Sequence, residues 1–172
     1  MKRKAVWNLL NPEITYRDYE KHVEETIENV VKGPSQLLSL FKLMNDDFEI
    51  LKSLEQVPLQ NRTLEKPTWE GASGYSHQID ASFSTQDERV ILLIESKHLK
   101  KSVDFPSFSA FLIRVIDIRN SHTNSLVLGL LVTTQGPKGK AGGTKIDQDC
   151  IDRVRSQFSK MRYYVSFLWL PD

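Results

Sequence analysis

The chain has 172 residues, 40% of them hydrophobic and 26% charged, which suits one domain around one core and gives no sign of a second. No run approaches the roughly 20 apolar residues that cross a bilayer, and Met1-Lys2-Arg3-Lys4 leads into no apolar stretch of signal-peptide length, so a cytoplasmic protein without membrane contact is expected. The single Cys150 excludes an internal disulfide or a thiolate zinc site, and a net charge of +1 does not by itself point to nucleic acid.

Residues 1-13 form a basic arm with Trp7 and Leu9-Leu10 that ends at Asn11-Pro12 and Glu13. From Thr15 the spacing predicts an amphipathic helix: Tyr16, Tyr19, Val23, Ile27, Val30 and Val31 recur at three- and four-residue steps until Gly33-Pro34 stops them. At about 100° per residue, Glu20 falls inside the apolar stripe and Glu24 at its margin, while Asp18, Lys21, Glu25 and Glu28 face away. A carboxylate on a buried face needs a partner, so Glu20 either meets a cation at the core's edge or belongs to a site. Ser35 is expected to cap a second helix through Leu37 to Met44, ending around Asn45-Asp46-Asp47. Phe48 to Leu54 fits helix or strand. Val57, Leu59 and Leu64, set among polar residues with Pro58 and Pro67, suggest an edge strand or an extended run. Glu70-Gly71-Ala72-Ser73-Gly74 reads as a flexible loop beside whatever site the next strand carries.

Ile79 to Ser84 alternates apolar and polar, Thr85-Gln86-Asp87-Glu88 is turn-like, and Val90-Ile91-Leu92-Leu93-Ile94 is an unbroken apolar run, together predicting a hairpin into a strand buried on both faces. Glu95 and Lys97 then point to one face and Ser96 to the other. If the hairpin pairs antiparallel, Asp80 arrives at the same sheet edge as Glu95 and Lys97. Two carboxylates about 4 Å apart repel by about 4 kcal/mol at an effective dielectric of about 20, so such a pair calls for a cation between them, most simply Mg2+, with Lys97 beside it. An ordinary ion-pair cluster is the alternative on spacing alone. Lys97, His98, Lys100 and Lys101 add local positive charge; His98 faces away from Lys97 and suits packing or a phosphate contact.

Beyond Val103, Asp104 or Phe105 caps a helix with Pro106 in its first turn, its apolar residues Phe108, Phe111, Leu112, Val115, Ile116 and Ile118 in helical period and Arg114 and Arg119 decorating it. Leu126 to Val132 is a second buried strand, so strand, helix, strand predicts a parallel crossover. Asp147 to Met161 reads as a last helix and Tyr163 to Leu170 as a closing strand. The glycines of Gly136 to Gly143, with Lys138, Lys140 and Lys145, miss the spacing of a phosphate-binding loop. The histidines His22, His77, His98 and His122 are too scattered for a metal motif, and no Ser or Cys has a placed His-Asp partner.

Three pieces taken in order, Gly74-Tyr75-Ser76-His77-Gln78-Ile79-Asp80, Glu95-Ser96-Lys97-His98 with Val103, and Gly129-Leu130-Leu131-Val132-Thr133-Thr134-Gln135-Gly136, resemble the PD-(D/E)xK nuclease signature in its Mrr-like restriction endonuclease branch, over roughly residues 16 to 141. Ile79 stands where the signature has Pro. The resemblance implies an α/β restriction-endonuclease-like fold of three layers, a central mixed sheet flanked by helices, with residues 35-55 as an insertion. It implies DNA as partner and Mg2+ as cofactor, Mn2+ substituting. Asp80, Glu95 and the backbone carbonyl of Ser96 would hold the metal, and Lys97 would serve the attacking water or the developing charge. Tyr19-Glu20 with Val23 resembles the (Phe/Tyr)-Glu-x-x-Val of the family's first helix, which gives Glu20 the outer acidic role and leaves Glu24 as fallback. His98, Lys100, Lys101 and Gln135 would contact substrate, and cutting both strands would favour a homodimer. Two alternatives are a catalytically silent DNA-binding module and a nuclease subunit that depends on a partner in a defence system.

Overall fold

Two neighbouring strands carry the architecture because their side chains are apolar on both faces. The computed structural model describes residues 16–99, 102–137 and 147–171. Its main sheet has five strands in the order β1 (Gln60–Asn61), β4 (Ala81–Ser84), β5 (Val90–Lys97), β6 (Leu126–Thr133) and β7 (Tyr164–Trp169), while β2 (Thr68–Glu70) and β3 (Ser76–Gln78) form a separate antiparallel pair. β1, β4 and β5 run antiparallel in turn, and β5, β6 and β7 run parallel. The sheet is therefore mixed, as expected, and the hairpin and crossover stand where the hydrophobic pattern put them.

The helices are α1 (Tyr16–Val30), α2 (Pro34–Leu40), α3 (Asn45–Lys52), α4 (Phe105–Ser121) and α5 (Gln148–Ser159). Alternation along β5 separates two cores. Val90, Leu92 and Ile94 join Tyr19, Val23 and Ile27 of α1 on one face. Ile91 and Leu93 join Phe108, Phe111, Val115 and Ile118 of α4 on the other. Each such side chain, fully buried, contributes about 1.5–3 kcal/mol, so the double-faced strands β5 and β6 hold more of the stability per residue than any element around them. At the centre of β6, Gly129 admits α4 closely: a Cβ there would lie 2.4 Å from Val115 Cγ2.

Three expectations need correction. The second helix starts at Pro34 with Gly33 as its cap, so Ser35 lies inside it; proline's fixed φ and missing N–H suit the first helical position. That helix stops at Leu40, because Phe41 turns to extended backbone and buries its ring, and Asn45 begins a new helix that takes in the undecided Phe48. The strand expected from Ile79 to Ser84 is broken at Asp80: Ile79 packs into the α4-side core and Ala81 into the α1-side core, which an unbroken strand cannot do with residues two apart. The cap of α4 is Asp104, whose side chain accepts from the Ser107 N–H, and Asp147 caps α5 through Cys150. The basic arm 1-13 lies outside the described residues.

Candidate active site

The register of β4 against β5 pairs Ala81 with Ile94, so one step further along the ladder sets Asp80 opposite Glu95. There the chain bends, and a side chain takes over from the backbone: Asp80 Oδ2 accepts hydrogen bonds from the Ser96 N–H at 2.8 Å and the Ser96 hydroxyl at 3.1 Å. Oδ1 is clear of those bonds. The hairpin thus brings Asp80 to the edge where Glu95 and Lys97 stand, as the spacing suggested.

Glu95 and Lys97 share the α4 face of β5. The Glu95 side chain is only 6% exposed, and both of its oxygens are met by cations. Lys97 Nζ donates to Oε1 at 2.6 Å and Arg114 Nη1 of α4 donates to Oε2 at 3.0 Å. A carboxylate this far from water requires such pairing. With Asp80 nearby the four formal charges cancel. Beside them a cavity of about 320 Å³ opens between the end of β5 and the first turns of α4, lined by Glu95, Lys97, Pro106, Ser107, Phe111 and Arg114 among others. The chain after Lys97 is pinned: Thr134 donates its N–H to the Lys97 carbonyl at 3.2 Å, and its hydroxyl bonds both the N–H and the carbonyl of Leu99, at 2.8 and 2.9 Å. Lys97 is therefore fixed at its backbone by the Thr-Thr end of β6.

The donor chemistry suits a hard divalent cation. Asp80 and Glu95 are oxygen ligands, as is the Ser96 carbonyl, and Mg2+ is commonly bound by one or two carboxylates while keeping several waters. Among the described residues no group of three or more His, Cys, Asp or Glu side chains converges, so such an ion would rely on those two carboxylates, and Glu95 would release one oxygen from Lys97 or Arg114 to receive it.

Glu20 is half-buried on the same turn of α1 as Tyr19, whose ring meets His98 with centroids 5.4 Å apart. That contact ties the first turns of α1 to the end of β5 and gives His98 a packing role. Glu24, one turn on, accepts from Asn61 Nδ2 of β1 at 2.6 Å, an amide that Glu28 shares at 3.0 Å, so the fallback acid belongs to the sheet's outer edge. Gln135 is half-buried beyond β6, its carbonyl accepting from the Thr133 hydroxyl at 2.6 Å. Lys100 and Lys101 lie outside the described residues. Arg114, read as decoration, is the site residue the sequence reading missed. Its signal was its position, at the margin of the buried stripe of α4 between Phe111 and Ile118, as Glu20 lies within that of α1.

The loop before β3 is clamped. Asp117, one helical turn after Arg114, accepts from the Ser73 N–H at 2.9 Å and hydroxyl at 2.6 Å and bonds His77 Nε2 at 2.7 Å. A Cβ on Gly71 would collide with that carboxylate at 1.9 Å. The Ser73 hydroxyl first, then His77 and the Ser73 amide, hold the Asp117 carboxyl at about 2, below its ordinary 3.8. A depressed pKa contributes stability that is present above the unfolded value and lost as pH falls through the folded one. Asp117→Asn is accordingly expected to lower the Tm by a constant amount at neutral pH, with the gap to wild type closing as pH drops from about 4 to 2; a gap that stays the same across that window, followed by circular dichroism, would refute the clamp.

No family model, no curated protein and no solved structure matches the chain.

Proposed function

We propose that the chain is a Mg2+-dependent deoxyribonuclease that hydrolyses DNA phosphodiester bonds, of restriction, defence or DNA-processing type. The observation that carries the reading is the sheet edge itself: Asp80 hydrogen-bonded to Ser96 where the hairpin ends, Glu95 and Lys97 on either side of Ser96 and bonded to each other, and a cavity beside those two. The architecture supports it, since a mixed sheet flanked by helices, with an antiparallel hairpin β4–β5 and a parallel crossover β5–α4–β6, is compatible with the fold the resemblance implies.

Asp80, Glu95 and the Ser96 carbonyl would hold the ion, and a bound Mg2+ or Mn2+ polarises a phosphate oxygen and acidifies a coordinated water. The other parts are side chains of the chain itself. Lys97 brings an ammonium to where negative charge grows on the phosphate, and its bond to Glu95 aims it there before the carboxylate turns to an ion. Arg114 holds Glu95 from the opposite side, so that carboxylate has little freedom to turn away. The first turns of α4, with their partial positive charge, favour an anion in the cavity. Glu20 supplies the outer acid.

Supercoiled plasmid and branched DNA test the reading. Nicking or linearisation with Mg2+ or Mn2+, absent with EDTA, is the expected result. Absence of cleavage in every metal would transfer support to a silent DNA-binding module. One observation favours that second reading: two cations already neutralise Glu95, which is how a carboxylate rests in a fold that has stopped using it.

A further inference from the structure

The parallel register places Lys97 beside Thr133 and Thr133 beside Trp169, so the three residues form one row across the sheet. Residues paired in register show their side chains on the same face. Trp169 therefore shares the α4 face with Glu95 and Lys97, two strand spacings away, or about 10 Å.

Its indole is exposed and held. The residue is 57% exposed, although tryptophan is highly buried on average. The ring does not swing freely: Nε1 donates to the Thr134 carbonyl at 2.9 Å, and Gly136 backs it so closely that a Cβ there would lie 3.3 Å from Cδ2. Gly136 thus lies against one side of the ring, and more than half of the residue stays exposed. Among the described residues β7 is the outermost strand of the sheet on that side. A flat aromatic face, ordered in advance, loses little entropy when a second flat group lies on it. Beside a phosphodiester-cleaving centre the flat group is a nucleobase, and only an unpaired base offers a free face, because bases in a duplex stack on one another.

We propose that Trp169 is a stacking platform for an unpaired nucleobase next to the scissile phosphate, which makes single-stranded or locally unpaired DNA the substrate class. The proposal rests on the nuclease reading and extends it to strandedness.

The test is fluorescence anisotropy of a labelled single-stranded oligonucleotide and of the duplex of the same sequence, in EDTA so that no cleavage intervenes, with wild type, Trp169→Leu and Trp169→Phe. Stacking is worth about 1–3 kcal/mol per base, so Trp169→Leu should weaken single-strand binding roughly 5- to 150-fold, with Trp169→Phe retaining most of the affinity and duplex binding changing less than about twofold. Equal single-strand affinity for wild type and Trp169→Leu, or an equal loss on both substrates, overturns the proposal. So does a change of oligomeric state in Trp169→Leu without a change in binding, which would make the indole a protein contact. Plasmid cleavage scored separately with Mg2+ distinguishes the two claims: ring-dependent single-strand binding without cleavage removes the nuclease reading, and cleavage with ring-independent binding removes the platform.

Discussion

Lys97→Ala is expected to cut plasmid DNA about 10³-fold more slowly than wild type, since a positioned acid, base or charge stabiliser contributes about 10²–10⁴ to a rate. The fold should tolerate the change. Lys97 is 32% exposed, and its removal leaves Glu95 Oε2 still paired with Arg114. The freed Oε1 belongs to a carboxylate that is only 6% exposed, so the loss costs about 1–3 kcal/mol and the Tm should fall by about 2–12 °C. DNA affinity should fall only by the loss of one phosphate-neutralising charge, lowering the slope of log affinity against log salt by about 1. The three readouts together separate the roles. A catalytic lysine shows a large fall in rate with a small change in binding. A lysine that only contacts the backbone shows rate and binding falling in step, and that result would remove Lys97 from the chemistry.

The largest effect on stability is expected at Asp47, far from the candidate site. Its side chain is 3% exposed in the first turn of α3 and accepts from three donors: Arg162 Nε at 2.9 Å, Arg162 Nη2 at 2.5 Å and the Tyr164 hydroxyl at 2.5 Å. Arg162 makes this reach from a left-handed backbone conformation, φ 60°, which an arginine adopts at some cost. Burial, and after it the Asp47 carboxylate, raises the Tyr164 phenol to about 12. Asp47→Ala would leave the phenolic O–H buried without its acceptor and Arg162 without its fork. Leaving a buried hydroxyl without its acceptor costs about 1–3 kcal/mol, the lost pair with the half-exposed Arg162 adds about 0–1 kcal/mol, and in a chain of this length each kcal/mol lowers the Tm by about 2–4 °C. A fall of roughly 2–16 °C follows, while Asp47→Asn, which keeps one acceptor, should lose less. Thermal unfolding of the two variants checks both, and an unchanged Tm for Asp47→Ala would show that the cluster only decorates the fold.

The parts of this molecule that could be read from sequence are those in which one physical term dominates. Val90 to Ile94 and Leu126 to Val132 are apolar without interruption, which leaves buried strands as the economical solution, and the helix between them forces a crossover. The Glu95–Lys97 pair and the arrival of Asp80 at Ser96 between them were legible for the same reason, since period-two alternation and one hairpin suffice for both. What escaped depends on contacts between distant elements. Nothing local in Asn45-Asp46-Asp47 announces that the third residue is bound by an arginine and a tyrosine from the far end of the chain. Arg114 looked like surface because its partner is a buried carboxylate on the preceding strand, 19 residues back. Asp80 breaks its strand because its side chain replaces a backbone acceptor, a choice that alternation cannot encode. The loop at Glu70 to Gly74 looked flexible because its residues are typical of loops, and only the fold supplies the carboxylate that immobilises it.

Gly129 sets a tolerance that reaches the chemistry. It pairs with Leu93 in the strand that ends in Glu95 and Lys97, and it lies under Val115, the neighbour of Arg114. The clearance between helix and sheet at that point is therefore the clearance with which Arg114 approaches Glu95. A single methyl group at the floor would lift the helix as a shim lifts a plate, widening the cavity mouth without altering any residue that lines it. The spacing of the charged groups is machined by the absence of a side chain, and divergence at this unremarkable position would retune the site as effectively as a change within it.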